Sequence, residues 1–597
     1  MERRTTGKLA LGATSAIAML AVAQPVFAQT VPGAPTREEI QRGLLDQVDP
    51  DRARPIAVDG GIERAPCPLA NPEFADLAFT LQRVEFANLG VVGADELAFS
   101  YSDFVGKQVS VATICEIRDR AATYLREKGY VAAVQVPPQQ IDQGVVRLDV
   151  LIARIAQVQV RGEAGPSEKL LARYIDKIAA QPAFNIFEAE RYLLLARDIP
   201  GLDVRLSLRP LEGAPGEVLG EFSVARTPVY ADATIQNLGS KQVGRFGGMA
   251  RLRLNGLTGL GDETTFTAFS TLDFDEQQVL QLAHDMYLGS EGLKLSGDFT
   301  YSWSEPSIGA GGNITSETWI AGLEANYPFV RRQETNLTGG IGFEHIDQQV
   351  DFGSTPISRD KLSVIYARLG FNQISKASIT GRDGYSSAEP NWGIYGNVEL
   401  RHGLDIFGAS EGCGPGLALC ALPGAVPPSR AEGDPTAFVL RADARFDYRP
   451  SPEVTLTVAP RLQYSPEALF SYEEVSGGNY TIGRGFDPGI IAGDSGFGLR
   501  TEFAYGSMIP KDQNSSAFQP FAFLDAMWVW NKDAAFNGLD PQKLYSAGAG
   551  LRANIRNGAR IEALLAVPLK RAGFQTDRGD VRFLINFTTQ LAPWNFD

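Results

Sequence analysis

Residues 480–502, YTIGRGFDPGIIAGDSGFGLRTE, read as a glycine-rich loop opening into a strand, with Arg484 set among Gly483, Gly485 and Phe486. The chain alternates on both sides of this loop. Before it, Val454, Leu456, Val458, Pro460, Leu462 and Tyr464 share one face, and Glu453, Thr455, Thr457, Arg461 and Gln463 share the other. After it, Phe497, Leu499, Phe503 and Tyr505 oppose Arg500 and Glu502. A period of two sends successive side chains to opposite faces of a sheet, so both runs are strands. The connection between them, about 465–495, is too long for a hairpin turn, and a loop of that length is expected to be functional or disordered.

The alternation continues from about Thr227 to the end of the chain in sixteen segments, an even number of the kind single-chain bacterial barrels use. Phe438, Leu440, Ala442, Ala444, Phe446 and Tyr448 face one way, while Arg441, Asp443, Arg445, Asp447 and Arg449 face the other. In a later strand Phe521, Phe523 and Asp525 share one face, and Ala522, Leu524, Ala526, Trp528 and Trp530 share an apolar face suited to lipid. Asp525 should therefore point inward. A soluble sandwich could also display a charged ladder, so the pattern alone leaves that fold open. Extent decides: more than 350 residues of strand signal without a helix are better explained by a closed membrane β-barrel with a wet interior. The lumen charges expected from parity are Arg441, Asp443, Arg445, Asp447, Arg449, Arg500 and Glu502.

Upstream, Arg3, Arg4 and Lys8 precede an apolar stretch, Leu9 to Ala23, and the small-residue site Val26-Phe27-Ala28. This reads as a cleavable secretory signal over 1–28, because the stretch is shorter than the ~20 residues of a spanning helix. Residues 29–75 hold a short helix, with Thr36 and Glu39 as a capping box and Ile40, Leu44 and Leu45 as a stripe, then a proline-rich linker. Two α+β units follow, at 76–155 and 156–225. In the first, Leu77, Phe79 and Leu81 suggest a strand, Ile114, Ile117, Ala121 and Leu125 a helix stripe, and 131–136 and 145–152 two further strands. In the second, Val158 and Val160, Val204 to Leu208 and Val218 to Val224 read as strands around helices at 170–178 and 187–196.

Gly483-Arg484-Gly485-Phe486, with Phe523-Leu524-Asp525 two strands on, resembles the lid-loop motif of the outer-membrane assembly and secretion superfamily. Tyr124 to Val131, Pro137-Pro138-Gln139 and Asp142 to Arg147 resemble the first periplasmic POTRA domain of the haemolysin and haemagglutinin transporters of two-partner secretion. Glu190 to Leu195 and Asp198 to Gly201 resemble their second. The resemblance implies a barrel of 16 antiparallel strands carrying two periplasmic POTRA domains, with a lid loop folded into the lumen. There Arg484 meets Asp525 beside Phe523. It also offers a sharper reading of the N-terminal helix, a removable plug of the lumen, beside the simpler one of a surface helix. The implied function is transport of an unfolded exported partner, adhesin-like or haemolysin-like, through an outer-membrane monomer in contact with lipid. An assembly factor for membrane proteins would share the architecture, and a passive porin is a second rival. Two positions depart from the motif: Gly483 stands where the family usually has valine, and Met527 where it usually has glycine.

Other chemistries find no residues to carry them. A formal charge of -15 argues against nucleic acid. His284, His345 and His402 are far apart and match no metal spacing, so no metal or cofactor is expected. Gly493-Asp494-Ser495-Gly496 imitates a protease nucleophile loop, but no histidine lies in context to act as base. Gly309, Gly311 and Gly312 lack the Lys-Ser/Thr of a phosphate loop, and no enzyme is read. Cys67 with Cys115, and Cys413 with Cys420 around a Gly-Pro-Gly turn, form two local pairs suited to disulfides in an oxidising compartment. The chain ends on Phe596-Asp597, whereas such barrels often end on phenylalanine.

Overall fold

The computed structural model describes residues 35–41, 58–60 and 67–593, apart from 68, 70, 75, 213–214, 308–312, 513, 534–539, 557 and 574. The signal at 1–28, Leu44, Leu45, the glycines at 309, 311 and 312, and Phe596-Asp597 lie outside these residues.

Helix α1 (Arg37–Ile40) starts on the expected box: Glu39 N donates to Thr36 Oγ1 and Thr36 N donates to Glu39 Oε2. A three-residue strand from the linker, β1 (Val58–Gly60), comes next. The first α+β domain contains β2 (Ala78–Thr80), β3 (Arg83–Ala87), β4 (Gln108–Ser110), α2 (Thr113–Glu127), β5 (Ala132–Gln135) and β6 (Val145–Ile152). Its sheet runs β3-β6-β5, and the stripe Ile114, Ile117, Ala121 and Leu125 closes on Val84, Val146, Leu148 and Val150. The strand expected around Leu77, Phe79 and Leu81 is β2. It pairs with β4 alone, and the strand of the main sheet is β3, five residues in which Val84 and Phe86 are too few to make a period stand out. Cys67 is bonded to Cys115 on α2.

The second domain has β7 (Arg154–Gly162), α3 (Glu168–Ala179), α4 (Ile186–Asp198), β8 (Leu202–Pro210) and β9 (Glu217–Arg226). Its helices bury Leu170, Tyr174, Ile178 and Leu193 on Val204, Leu206, Val218 and Phe222. The sheet order is β1-β8-β9-β7, so the linker strand β1 covers one edge, in parallel with β8, and among the described residues the outer edge of β7 carries no strand.

Lipid gives an unpaired backbone group no partner, so a sheet that crosses it must close on itself. This one does, through β10 (Val229–Gln236), β11 (Gly247–Asn255), β12 (Glu263–Thr271), β13 (Gln277–Leu288), β14 (Leu293–Ser304), β15 (Ile314–Arg331), β16 (Thr335–Phe352), β17 (Thr355–Ile374), β18 (Trp392–Gly403), β19 (Phe438–Ser451) and β20 (Val454–Tyr464). A two-strand ribbon, β21 (Val475–Gly477) and β22 (Ile491–Gly493), stands apart from the wall. The wall resumes with β23 (Ser495–Tyr505), β24 (Ser516–Trp530), β25 (Gln542–Ile555), β26 (Ala559–Pro568) and β27 (Arg582–Ala592). Sixteen antiparallel strands close where β27 pairs with β10. Thr234 and Thr588 share a 2.9 Å hydroxyl contact across that seam. Among the described residues no helix is long and apolar enough to cross a bilayer. Faces follow the expected parity: on β20, Leu456, Val458, Leu462 and Tyr464 are exposed outward while Thr455, Thr457 and Gln463 are buried within.

The second domain is fastened to the near rim of the barrel. Arg331 at the end of β15 forms a bidentate pair with Asp198, both distances 2.7 Å, and Tyr287 donates to the Asp198 carbonyl at 3.2 Å. Arg191 donates to the carbonyls of Pro328 and Glu291 at 3.0 and 3.2 Å. Two parallel N–H···O bonds fix an angle as well as a distance, so this pair sets the tilt of the domain. Replacing Arg331 with Ala is expected to speed amide hydrogen exchange at the C-terminus of α4 by roughly ten-fold, the loss of about 1–2 kcal/mol of charge-assisted bonding, while Lys361→Ala leaves it unchanged.

Candidate functional site

The loop joining β20 to β23, 465–494, turns into the lumen and packs there. Its ribbon pairs Val475 with Gly493 and Gly477 with Ile491. Between the ribbon strands the chain makes a tight turn through Gly478, Gly483 and Gly485, all at positive φ, a region glycine enters without steric cost. Asn479 fixes the turn: Gly485 N donates to its Oδ1 at 2.8 Å and its own N donates to the Phe486 carbonyl at 3.1 Å.

Arg484 projects from this turn to the wall. Its Nε and Nη2 donate to Asp525 Oδ2 and Oδ1 at 3.0 and 2.8 Å, and the backbone N–H groups of Gly483 and Arg484 donate to Oδ2 at 3.3 and 3.1 Å. Nη1 donates to Glu502 Oε2 at 3.0 Å, and the guanidinium carbon lies 3.6 Å from the centroid of the Phe523 ring. Arg484 is 5% exposed and Asp525 fully buried. Parity points to Asp525; the geometry adds Glu502 as a second carboxylate for the same cation. The pattern continues along the wall, since Arg552 pairs with Glu502 and Glu562 and sits 4.1 Å over the Phe521 ring. Arg500, on the same lumen face, donates to the Thr481 carbonyl of the lid.

The two departures from the lid motif meet in space. Gly483 is at φ +120°, and a Cβ there would collide with the Leu544 side chain. Met527 is fully buried in one cluster with Val475, Ile482, Phe486, Ile491, Val529, Leu544 and Ala572, and it pairs with Leu544 across β24 and β25. Side-chain volume absent from the lid at 483 is thus supplied by the wall at 527 and 544.

Of the charged ladder on β19, Arg441 reaches the lid, pairing with Glu473, while Asp443 faces Arg461, Arg445 pairs with Asp447, and Arg449 donates to the Pro390 carbonyl. Sequence reasoning missed two further nodes. Arg401 on β18 holds Glu344 at 2.6 Å and the lid's Glu473 at 2.7 Å, and α1 joins the same region. Gln41 donates to Glu344 and to the Tyr472 hydroxyl, and Glu38 accepts from Arg461 and from Ser476 of the lid, each at 2.9 Å. Ile40 is buried among Phe269, Val279, Ile320, Ile346, Leu362 and Val364, so part of the lumen expected to be polar is apolar. At the barrel end remote from the α+β domains, Arg430 binds Glu474 at 2.8 Å, Asp533 at 2.7 Å and Asp494. Asp494, which resembles a protease loop in sequence, also accepts from the backbone of Leu469 and Lys532 and is wholly buried. One cation among three acids leaves the node short of positive charge; burial pushes Glu474 up to about 7 and raises Asp533 from its ordinary value. Cys413 and Cys420 are bonded in the loop that carries Arg430.

A closed sixteen-stranded barrel with an inward lid and N-terminal α+β domains is the architecture of outer-membrane transporters of the POTRA class. The haemolysin secretion/activation protein ShlB/FhaC/HecB family matches residues 223–553, and the ShlB-type POTRA domain matches 79–152. The chain belongs to that family, lies in the outer membrane and keeps its POTRA domains in the periplasm. The heme/hemopexin transporter protein HuxB of Haemophilus influenzae is 25% identical over 286 residues, which is 45% of this chain and 48% of HuxB, so the match spans about half of that relative. The outer membrane transporter CdiB of Escherichia coli is 21% identical over 78% of this chain and 76% of its own. Solved structures of CdiB from Escherichia coli and Acinetobacter baumannii superpose with TM-scores of 0.66 and 0.58 at 17% and 16% identity, over 93% of this chain and 97% and 96% of theirs.

Leu544→Ala alone should destabilise the folded barrel in urea by about 2–4 kcal/mol, as a cavity opens under the lid. Gly483→Val alone should destabilise it through the collision and the positive φ. Together they should cost at least about 1 kcal/mol less than their sum, measured as a double-mutant cycle on protein in vesicles.

Proposed function

We propose that the protein takes an unfolded exported partner, of adhesin or haemolysin type, from the periplasm and passes it through the barrel to the cell surface. The observation that carries this reading is a lumen filled by the chain's own lid and N-terminal segment, in a barrel joined to periplasmic strand-forming domains. A passive porin has no use for either stopper. In the second POTRA domain the β8 edge is already taken by β1, whereas β7 offers nine residues with exposed Val158 and Val160. An unpaired edge of that kind accepts an extended peptide by main-chain bonding, without requiring a folded partner. No nucleotide is needed, because folding on the far side makes passage one-way. Arg484 holds the lid in its seat, with Asp525, Glu502 and Phe523 as the seat.

Arg484→Ala should abolish secretion of the partner protein while the barrel still inserts, measured as surface partner against barrel content of outer-membrane fractions. Val158→Pro, which removes an outward N–H from the β7 edge, should lower secretion with the lid intact. Unchanged insertion of other outer-membrane barrels in a strain lacking this protein would separate the transporter from an assembly factor.

A further inference from the structure

The polar lining of the lumen is interrupted by a narrow apolar row, and the strand register lays it out. Met249 on β11 pairs with Phe269 on β12, and Phe269 with Val279 on β13. Farther round the wall, Ile320 on β15 pairs with Ile346 on β16, and Ile346 with Leu362 on β17. Between the two halves stand Ser302 of β14, opposite Val279, and Thr300, opposite Ile320. The row therefore runs from β11 to β17 with only small hydroxyls in its middle. Parity turns it inward, since Ile346 shares a face with Glu344, which binds Arg401. On β12, β13 and β16 the row is one residue deep. Thr267 and Thr271 flank Phe269 on the same face, Gln277 and Gln281 flank Val279, and Glu344 and Gln348 flank Ile346, all of them buried.

A strand is held in the wall by its ladder and its lipid-facing side, so inward apolar groups in a wet lumen are favourable only under cover. Three groups supply that cover: Ile40 from α1, and Phe470 and Tyr472 from the lid, each at most 1% exposed. All three belong to the segments that stop the lumen. Once those withdraw, the row faces water and favours whatever apolar group replaces them. What α1 presents to the row is not particular to α1. Ile40 contributes an apolar side chain, and its main-chain carbonyl accepts from Gln281 Nε2 at 3.2 Å. Any unfolded chain with apolar residues repeats both features along its length. The sequence-specific bonds of α1, made by Glu38 and Gln41, go elsewhere, to Arg461, Ser476, Glu344 and the Tyr472 hydroxyl.

We propose that this row is a contact for the exported partner in transit, taking apolar side chains of an extended segment in the place that Ile40 holds at rest. The proposal rests on the transport reading above and adds which lumen residues touch the partner, and by what chemistry. A protein that folds outside carries the apolar side chains of its future core through the lumen, and in an extended segment they recur on one face at every second position. Polar residues on either side of the row limit each contact to a short stretch of that segment, so the next side chain can displace the last.

The test uses the full chain in phosphatidylcholine vesicles and, as probe, a soluble peptide of five Gly-Ser-photoleucine-Ser repeats. Adducts formed on photolysis are mapped by mass spectrometry. Ile40→Ser, which vacates the seat, is expected to raise adducts at Phe269, Val279 and Leu362 by at least about ten-fold over the unaltered chain. Adding Ile320→Thr and Ile346→Thr should remove the gain at Leu362, whereas Leu323→Ser and Ile341→Ser, on the lipid side of the same strands, should leave it. In cells, the Ile320→Thr/Ile346→Thr chain should bring at least about five-fold less partner to the surface at equal barrel content, and Ile40→Ser no less than the unaltered chain. A probe that labels the row in neither chain, or equally with and without Ile40, overturns the proposal, and the row is then a seat for the chain's own stoppers alone. Normal secretion by the Ile320→Thr/Ile346→Thr chain overturns it as well. Absence of partner at the surface even with the unaltered chain would instead sink the transport reading, whatever the probe labels.

Discussion

A guanidinium shut away from water has to take its counter-charge from whatever surrounds it, and in this barrel everything around Arg484 is wall. Asp525 comes from β24 and Glu502 from β23, and the register that pairs Arg500 with Asp525 and Glu502 with Phe523 turns both carboxylates inward within reach of one guanidinium. A slip of one residue would turn Asp525 to lipid and leave the cation buried alone. Removing one partner of such a pair costs about 3–5 kcal/mol, several times what any single apolar contact in the lid contributes. Seating of the lid and register of the last strands are therefore one constraint.

The lid extends that constraint to the rest of the lumen. Through Glu473 it binds Arg401 and Arg441, through Ser476 it binds Glu38 of α1, and through Glu474 and Asp494 it binds Arg430. Buried ion pairs add little net stability because desolvation offsets attraction, yet they are specific about geometry. A stopper built of them is well placed without being deeply bound, provided water or another chain's polar backbone can replace the lost partners. An apolar stopper of equal area would release only by exposing that area to water. The hydrophobic seat is instead concentrated around Ile40 on one wall and around Met527 and Leu544 on another.

Which parts were legible in the sequence follows from which parts have a period. Strand parity locates Asp525, Glu502 and the β19 ladder, because a two-residue repeat says which way each side chain points. Arg430 and Asp533 lie in loops, where no repeat exists, so nothing in the chain tells that they meet. Asp494 has serine-protease-like neighbours in the sequence, but its place immediately before β23 is what matters, and no period tells that its carboxylate turns to Arg430. The capping box at Thr36 and Glu39 predicts a helix start but carries no information on where the helix docks. The apolar part of the lumen was hidden by blurred alternation. On β12, Phe266 faces lipid while Phe269 faces Ile40, so the strand looks apolar on both sides and its inner face cannot be told from its outer one.

Judged one position at a time, glycine at 483 and methionine at 527 weaken the resemblance to the lid motif. Judged in space they form a single exchange. A β-branched residue on the lid needs an empty place on the wall; a lid without side chain, held at φ +120°, leaves that place to be filled from the wall by Leu544 and Met527. Dense packing allows no third arrangement, since a cavity and an overlap each cost more than the lid's apolar contacts return. The quantity held constant is the filled volume beneath the turn, and with it the height at which Arg484 meets its two acids. Residue identity at either position alone is free to drift so long as its opposite number drifts with it.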